Sequence, residues 1–281
     1  MTSFNTYAAF GYNYGLTSIN CPLVTSICSN TFYSCGSLTS ISFPVCNIIS
    51  ASAFYRCGRL TVASFPSCTT IGNTAFTYCE KLTTISFPVC TSIGYAAFAN
   101  CSKIETAIFP SCTIISNYAF SSCSSLTTVS FPVCTTIGNN AFTNCNNLVN
   151  INFPVCTSIG YGGFYLCSNL TSISFPACAI ISASAFWGCS NLVTISFPVC
   201  TLISDYAFCR CSSLISINFP SCISIGSNAF SSCSSLTTIS FPVCTTIKSY
   251  AFGGCANLTT VSFSVCTLIS HYAFSGCSKL S

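Results

Sequence analysis

Charged side chains are almost missing from this 281-residue sequence. Asp, Glu, Lys and Arg together make up 4% of the residues, with seven basic and three acidic side chains, and there is one histidine. An average soluble domain carries roughly 25% charged residues. Because catalysis needs titratable groups that converge on one place, this shortage argues against an enzyme. The net charge of +4 comes from scattered basic residues and is too small for a nucleic-acid binder.

Long apolar runs are missing as well, although the mean hydropathy is high at +0.70. The longest unbroken run covers 175–181, because Ser, Thr and Asn interrupt every apolar stretch. A membrane-spanning helix needs roughly 20 such residues, so we predict no membrane insertion. The opening residues MTSFNTYAAF have neither a basic segment nor an apolar core, and no secretory signal peptide is predicted.

What the sequence has instead is a 22-residue repeat. Phe-Pro pairs recur every 22 residues from Phe43 to Phe241 without insertion or deletion. If position 1 is the Leu that precedes each predicted strand, the consensus is LTxISFPxCTxIGxxAFxxCxx. Position 17 is Phe in every copy from Phe10 to Phe274. Repeats of this length indicate a solenoid, in which each unit buries its apolar face only against its neighbours.

One repeat frame describes the whole chain and predicts a single solenoid domain over 1–281. It consists of a partial N-terminal coil over 1–15, twelve repeats over 16–279 and the start of an incomplete coil at 280–281, giving about 13 coils. This continuity leaves no segment with the composition of a linker.

Within a repeat, the apolar spacing changes, and this change predicts the architecture. Ile85 and Phe87 alternate with polar residues, as on one face of a strand, and Pro88 should end that strand. The later apolar residues are spaced as in a short helical turn. We therefore predict a parallel sheet on one face of the solenoid and short helical turns on the other, the latter from Ile93, Ala97, Phe98 and Cys101.

The pattern L-x-x-I-x-F-P-x-C-x-x-I-G-x-x-A-F-x-x-C resembles the BspA-type leucine-rich repeat, a group common in bacterial and protozoan surface proteins. The resemblance covers essentially the whole chain. It implies a curved solenoid with the parallel sheet on its concave side, and non-catalytic roles in adhesion and in contact with a host or matrix. The repeat here is one residue shorter than the common form, and the charged loop residues usual in that family are nearly absent.

Cysteine is abundant, with 26 residues, and 23 of them fall in two columns of the repeat. Cysteines one coil apart stand about 4.8 Å apart, whereas a good disulfide places its Cβ atoms near 3.8 Å. There is a single histidine and no C-x-x-C pair, which argues against metal. We predict stacked, unpaired core thiols and no metal or cofactor, with occasional disulfides as the alternative; the columns include position 9 (Cys46, Cys68, Cys90) and position 20 (Cys35, Cys57, Cys79).

A small charged cluster is formed by Glu80, Lys81, Lys103 and Glu105 of successive coils, with Arg59 beside them. Exposed ion pairs contribute under about 1 kcal/mol each. We interpret the cluster as solvated surface ion pairs.

Positions 3 and 5 of each strand carry Ser, Thr or Asn, so the outward strand face is a lattice of hydroxyl groups. Such residues suit strands and can hydrogen-bond along a stack, where like charges would repel. The lattice also resembles the Thr-x-Thr arrays of ice-binding solenoids, which makes ice binding a minor alternative function. Its representative members are Thr84, Ser86, Thr128, Ser130, Thr238 and Ser240.

The two ends of the repeat array carry few charges, which usually protect exposed strand edges. The strands predicted over 17–21 and 259–263 would each expose one parallel edge. We therefore predict head-to-tail stacking of copies into a filament. The candidate end residues are Tyr7, Tyr12 and Tyr14 on one side and Thr259, Ser262 and Lys279 on the other.

The sequence thus predicts a non-catalytic structural or adhesive protein, extracellular or at a cell surface, that binds no nucleic acid. Self-assembly with further copies is favoured, and a monomeric adhesin for a host or matrix ligand is the alternative. Three glycosylation sequons, at Asn100, Asn169 and Asn257, are short enough to arise by chance in such repeats.

Overall fold

A computed structural model describes residues 3–4 and 8–281. It forms two compact units, Met1–Cys134 (unit 1) and Thr135–Ser281 (unit 2). In each unit the chain winds as a parallel β-solenoid with a 22-residue coil, as the repeat predicts. The single domain over 1–281 and the count of about 13 coils remain predictions.

Unit 1 contains two sets of parallel strands. The three-residue strands form the sheets β3–β5–β7 and β9–β11, and the two-residue strands pair in the order β1–β2–β4–β6–β8–β10. The three-residue strands are β3 (Ser40–Ser42), β5 (Val62–Ser64), β7 (Thr84–Ser86), β9 (Thr106–Ile108) and β11 (Thr128–Ser130). The two-residue strands are β1 (Ser3–Phe4), β2 (Ser26–Ile27), β4 (Ile48–Ile49), β6 (Thr70–Ile71), β8 (Ser92–Ile93) and β10 (Ile114–Ile115).

Unit 2 repeats this arrangement, with sheets β15–β17 and β19–β21–β23 and a second sheet that runs from β12 to β24 through the even-numbered strands. The three-residue strands are β13 (Asn150–Asn152), β15 (Ser172–Ser174), β17 (Thr194–Ser196), β19 (Ser216–Asn218), β21 (Thr238–Ser240) and β23 (Thr260–Ser262). The two-residue strands are β12 (Thr136–Ile137), β14 (Ser158–Ile159), β16 (Ile180–Ile181), β18 (Leu202–Ile203), β20 (Ser224–Ile225), β22 (Thr246–Ile247) and β24 (Leu268–Ile269).

The predicted outward strand is present in both units and covers positions 3 to 5 of the repeat from β3 to β23. The strand predicted over 17–21 does not form, and Ser18 pairs with Ser40 only as an isolated bridge. In β21, Ile239 points into the core and is 2% exposed, while Thr238 on the same strand is exposed. The pairing is in register from coil to coil, with Thr238 opposite Thr260 and Ser240 opposite Ser262. Because the register steps by one repeat, each position of the repeat forms a straight column.

The predicted helical turns are wrong: no residue in the part of the chain that the structure describes is helical. Two left-handed residues interrupt the segment in every described coil, for example Ala96 (φ 50°) and Asn100 (φ 60°). A right-handed helix cannot continue through such residues. The segment is a pair of tight turns, in which Ala97 N–H donates to the carbonyl of Gly94 at 3.2 Å.

The left-handed residues also turn alternate amides toward the next coil. Ala96, Phe98 and Asn100 donate their N–H groups to carbonyls 21 residues further along, at 2.8–2.9 Å. The turn side of each unit is therefore a third hydrogen-bonded ladder. Its N–H groups all point toward the following coil, because the same two positions are left-handed in each repeat.

The core of each unit is a double column of phenylalanine rings at positions 6 and 17. Phe186 is fully buried and stacks on Phe164 at 5.3 Å and on Phe208 at 5.2 Å between ring centroids. Phe197 of the other column meets it edge-on at 5.9 Å. Offset and edge-to-face aromatic pairs each add about 0.5–1.5 kcal/mol beyond the burial of their area.

A search of the described residues finds no helix with the length and hydropathy of a membrane span.

Candidate functional site

The strand face of unit 2 contains an open groove. It spans four consecutive three-residue strands, β17, β19, β21 and β23, and has a volume of about 490 Å³. Hydroxyl and amide side chains from positions 3 and 5 line it, whereas the position-4 isoleucines point into the core and expose little surface. The lining residues are Thr194, Ile195, Ser216, Ile217, Asn218, Thr238, Ile239, Ser240, Thr260 and Ser262.

The groove brings together lattice residues that the sequence predicts and others that it does not single out. Thr238 and Ser240 are predicted members, and both line the groove. Ser216 and Asn218 occupy the same repeat positions but are missing from the predicted set. The repeat frame alone is enough to place them there.

The remaining predicted lattice residues lie on unit 1 and do not line this groove. Thr84 and Ser86 are exposed on β7, and Thr128 and Ser130 are half-buried on β11. Apolar residues interrupt the same face, with Val62 38% exposed and Ile108 58% exposed. A regular ice-binding array would need these positions to be uniform. The mixed face of unit 1 therefore does not favour ice binding.

The predicted cysteine columns lie in the core, and each thiol hydrogen-bonds to a backbone carbonyl. At position 20, Cys57 donates from Sγ to the carbonyl of Phe32 in the preceding coil at 3.2 Å. At position 9, Cys46 donates within its own coil to the carbonyl of Ile48 at 3.4 Å. The other named members make the same contacts, namely Cys35, Cys79, Cys68 and Cys90. Among the residues that the structure describes, no cysteine is in a disulfide.

Burial holds these thiols protonated. Loss of hydration raises the pKa of Cys46 and Cys90 to about 11 and that of Cys189 to about 12, and the backbone hydrogen bonds oppose this only in part. Because the thiolate is the nucleophile and the metal ligand, such thiols are inert packing groups. Their role is to fill the core and to satisfy carbonyl groups.

The candidate end residues are placed as follows. Tyr7 lies outside the described residues, while Tyr12 is exposed and its ring lies 5.2 Å from that of Tyr33. Tyr14 is 65% exposed. Thr259 donates from Oγ1 to the carbonyl of Thr237 at 3.2 Å. Ser262 of β23 and Lys279 are exposed.

The charged groups of the described coils form few close contacts. The only ion pair within 4.0 Å there joins Lys248 Nζ to Asp205 Oδ1 at 3.9 Å, and His271 is exposed. In the same residues, no three His, Cys, Asp or Glu side chains cluster as metal ligands would.

The ion pairs predicted for the charged cluster of unit 1 do not form. No amine or guanidinium nitrogen there lies within 4.0 Å of a carboxylate oxygen, among residues the structure describes. The side chains are exposed to solvent, where the Coulomb attraction between them is too weak to hold them in contact. The members concerned are Arg59, Glu80, Lys81, Lys103 and Glu105.

Several solved structures share this fold. A leucine-rich repeat protein from Bacteroides ovatus is 24% identical over 98% of this chain and 80% of its own, with a TM-score of 0.58. One from Eubacterium ventriosum is 19% identical over 85% of this chain and 83% of its own, with a TM-score of 0.51. A leucine-rich cell surface protein from Faecalibacterium prausnitzii is 23% identical over 86% and 83%, with a TM-score of 0.40. A search of curated protein sequences finds no match.

The sequence also matches a family model over nearly its whole length. The BspA type leucine-rich repeat region aligns with residues 3–126, 47–169, 113–199 and 157–281. Repeats of this architecture generally serve as scaffolds for protein interactions, because stacking creates extended binding surfaces. The match confirms the resemblance that the repeat pattern indicates: the chain belongs to the BspA-type leucine-rich repeat family.

Proposed function

We propose that the protein is a non-catalytic extracellular adhesin, and that the groove on the strand face of unit 2 binds a protein of a host surface or matrix. The observation that carries this proposal is the groove itself. It offers rows of hydroxyl and amide groups along four parallel strands, which suits an uncharged, extended protein segment.

The chemistry of the groove favours recognition through hydrogen bonds and packing. None of its lining residues is charged. Electrostatic steering, which salt screens, therefore contributes little. We expect the affinity for the protein ligand to be nearly independent of ionic strength.

Arginine substitutions in the groove test this proposal. Thr238→Arg with Ser240→Arg on β21 fills the groove with two large charged side chains, and we expect at least tenfold weaker binding. The matched control is Thr84→Arg with Ser86→Arg on β7, because both strands read Thr-Ile-Ser at the same repeat positions. Binding is measured by surface plasmon resonance on immobilised collagen, laminin and vitronectin.

The control variant should bind within about twofold of the unsubstituted protein, because neither of its substituted residues lines the groove. Equal losses in both variants, or no loss in either, would contradict the assignment to the groove. A protein that binds none of the three surfaces would contradict the adhesive function for this class of ligand.

Self-association by coil stacking is the second candidate function, and the coil that contains β24 favours it. Leu268 and Ile269 are 53% and 54% exposed, whereas Ile247, one coil earlier at the same position as Ile269, is fully buried. Phe274 N–H has no hydrogen bond among the described residues, while Phe252 N–H donates to the carbonyl of Ala273 at 2.8 Å. Any coil of this repeat that stacks on this surface supplies apolar side chains and carbonyl groups, and a coil of a second copy is one that does so.

Sedimentation velocity tests the second candidate. We expect the mass to rise with concentration, and Ile269→Lys to abolish the rise because it places a charge in the apolar contact. The control Leu202→Lys adds the same charge on β18, where Leu202 is exposed at the side of a coil. A sedimentation coefficient that stays monomeric at every concentration would rule out this mode of assembly.

A further inference from the structure

Charged residues rarely occupy the same position in successive coils of this chain, but they do so in unit 1. Position 22 is basic in three successive coils, at Arg59, Lys81 and Lys103. All three are exposed. Consecutive coils stand about 4.8 Å apart, so the three charges fall within about 10 Å, close to one Debye length at physiological salt. We call these three residues the basic column.

The basic column concentrates the charge of a nearly uncharged molecule. Six of the ten charged residues lie between Arg56 and Glu105, and they account for two of the four net positive charges. Other repeats carry Ser, Asn or Gly at position 22, with Lys279 as the exception. Three like charges in adjacent coils destabilise each other, and a bound anion removes that cost.

The neighbouring carboxylates lower the net charge of this region but form no ion pair with the column. Glu80 and Glu105 are exposed, and neither lies within 4.0 Å of a basic nitrogen, among residues the structure describes. The three basic side chains therefore keep their hydrogen-bond donors available to an anion.

A fourth basic group beside the column is held in place by aromatic rings. Arg56 Cζ lies 5.5 Å from the ring centroid of Tyr55 and 5.5 Å from that of Tyr78. Its guanidinium makes no hydrogen bond within the described part of the chain, and Arg56 lines a shallow pocket of about 400 Å³ together with Gly58, Tyr78 and Glu80. A guanidinium fixed in this way loses less entropy when it binds a sulfate or carboxylate with two parallel hydrogen bonds.

The same rings argue against a nucleic-acid ligand. Single-stranded nucleic acids are held largely by bases that stack on free aromatic faces. Here Tyr33 stacks on Tyr55 at 4.9 Å, Tyr55 meets Tyr78 edge-on, and Arg56 lies over the rings of both Tyr55 and Tyr78. The surface thus offers contacts to acidic groups without a platform for bases.

From these observations we infer a second binding surface, distinct from the groove of unit 2: the basic column together with Arg56 binds a sulfated polysaccharide. The chain of the polysaccharide runs along the stacked coils of unit 1 and places sulfate or carboxylate groups opposite successive basic side chains. Basic clusters of this kind are the electrostatic footprint of heparin-like ligands.

Immobilised heparin serves as the probe, and the full chain is tested at physiological salt. The variant Arg59→Ser, Lys81→Ser, Lys103→Ser introduces the residue that position 22 carries at Ser37 and Ser125, so the fold is retained. We expect at least tenfold weaker binding. The slope of log affinity against log salt should become shallower by roughly two to three, because each lost ionic contact means about one counterion fewer is released on binding.

The matched control removes three positive charges elsewhere, with Arg210→Ser, Lys248→Ser and Lys279→Asn. It should bind heparin within about twofold of the unsubstituted protein, since the effect of a charge falls off over a Debye length. Equal weakening of both triple variants would overturn the site and leave only net charge as the cause. Equal binding of desulfated heparin, or equal binding of a single-stranded oligo(dT), would overturn the choice of ligand.

Failure of this proposal is distinguishable from failure of the adhesive function. The groove variant Thr238→Arg with Ser240→Arg leaves the basic column intact, and the column variant leaves the groove intact. Heparin binding should weaken steeply with salt, whereas binding of a protein ligand in the groove should not.

Discussion

We expect the protein to unfold steeply as the pH is raised from about 9 to about 10. At least 18 of its thiols have a pKa above the ordinary value because burial removes their hydration. The native state keeps these protons while the unfolded chain releases them. The stability that the protonated thiols contribute is complete below the unfolded pKa and is lost as the pH rises toward the folded one.

The size of the effect follows from the number of thiols. Each thiol that stays protonated in the native state costs about 1.4 kcal/mol for every pH unit above its unfolded pKa. The fourteen most deeply buried of these thiols keep their protons over this range and together remove on the order of 15 kcal/mol over one unit. A protein of this length has a total stability of roughly 0.1 kcal/mol per residue, so this loss is comparable with the whole.

The free energy of unfolding is measured by chemical denaturation at a series of pH values between 7 and 10, under reducing conditions. Replacing Cys178, Cys200, Cys222 and Cys244 by Ala should lower the number of protons released on unfolding by about four, one for each thiol removed. The control is Ile→Val at Ile181, Ile203, Ile225 and Ile247, which trims the core without removing a titrating group. A stability that is flat to pH 10 would contradict the prediction.

Removing one ring from the phenylalanine columns should be the most damaging single substitution. Phe186 is fully buried, stacks on two rings of its own column and touches Phe175 and Phe197 of the other. We expect Phe186→Ala to lower the free energy of unfolding by about 3–5 kcal/mol, through lost burial and the cavity that remains. Circular dichroism during denaturation in guanidinium chloride measures this change.

The control for this substitution is Val199→Ala in the next coil. Val199 is 45% exposed on the side of the solenoid, so its loss should change the stability by less than about 0.5 kcal/mol. If Phe186→Ala costs no more than this control, the stacked rings are not a principal source of stability.

The first strand of each repeat could be predicted from sequence because it leaves two independent signals. Ile85 and Phe87 alternate with polar residues, and Pro88 cannot continue the ladder. The second strand, such as β8, was missed because a two-residue strand contains no alternation to detect. Only the β-branched Thr and Ile residues at positions 10 to 12 hint at it.

The helical turns were predicted wrongly because two tight turns reproduce the spacing of a helical face. The two turns differ from a helix in having left-handed residues, but the types of residue at these positions do not predict that conformation. Asn100 is common in that conformation, whereas Arg56 (φ 59°) and Tyr78 (φ 62°) are not. Hydrogen bonds from these amides to the next coil, such as Arg56 N–H to the carbonyl of Thr77, hold the conformation. The repeat therefore imposes a local geometry that the single residue would not choose.

The positions of the two proposed binding surfaces were predictable in part. The columns follow from the repeat frame, so the lattice residues Thr238 and Ser240 and the charged cluster could be located from sequence. The groove depends on how four strands and their side chains pack together, which no spacing reveals. The absence of ion pairs around Lys81 and Lys103 likewise depends on where their side chains lie, which the residue spacing does not give.

The one-coil spacing of the lateral contacts also bears on how quickly the protein folds. Hydrogen bonds between coils join residues about one repeat apart, as between Thr61 and Thr39. Relative to 281 residues, a separation of 22 gives a relative contact order of about 0.08, within the range of helical bundles rather than β-sandwiches. Loop closure is therefore equally inexpensive at each coil. Folding can nucleate at any pair of neighbouring coils and propagate in both directions.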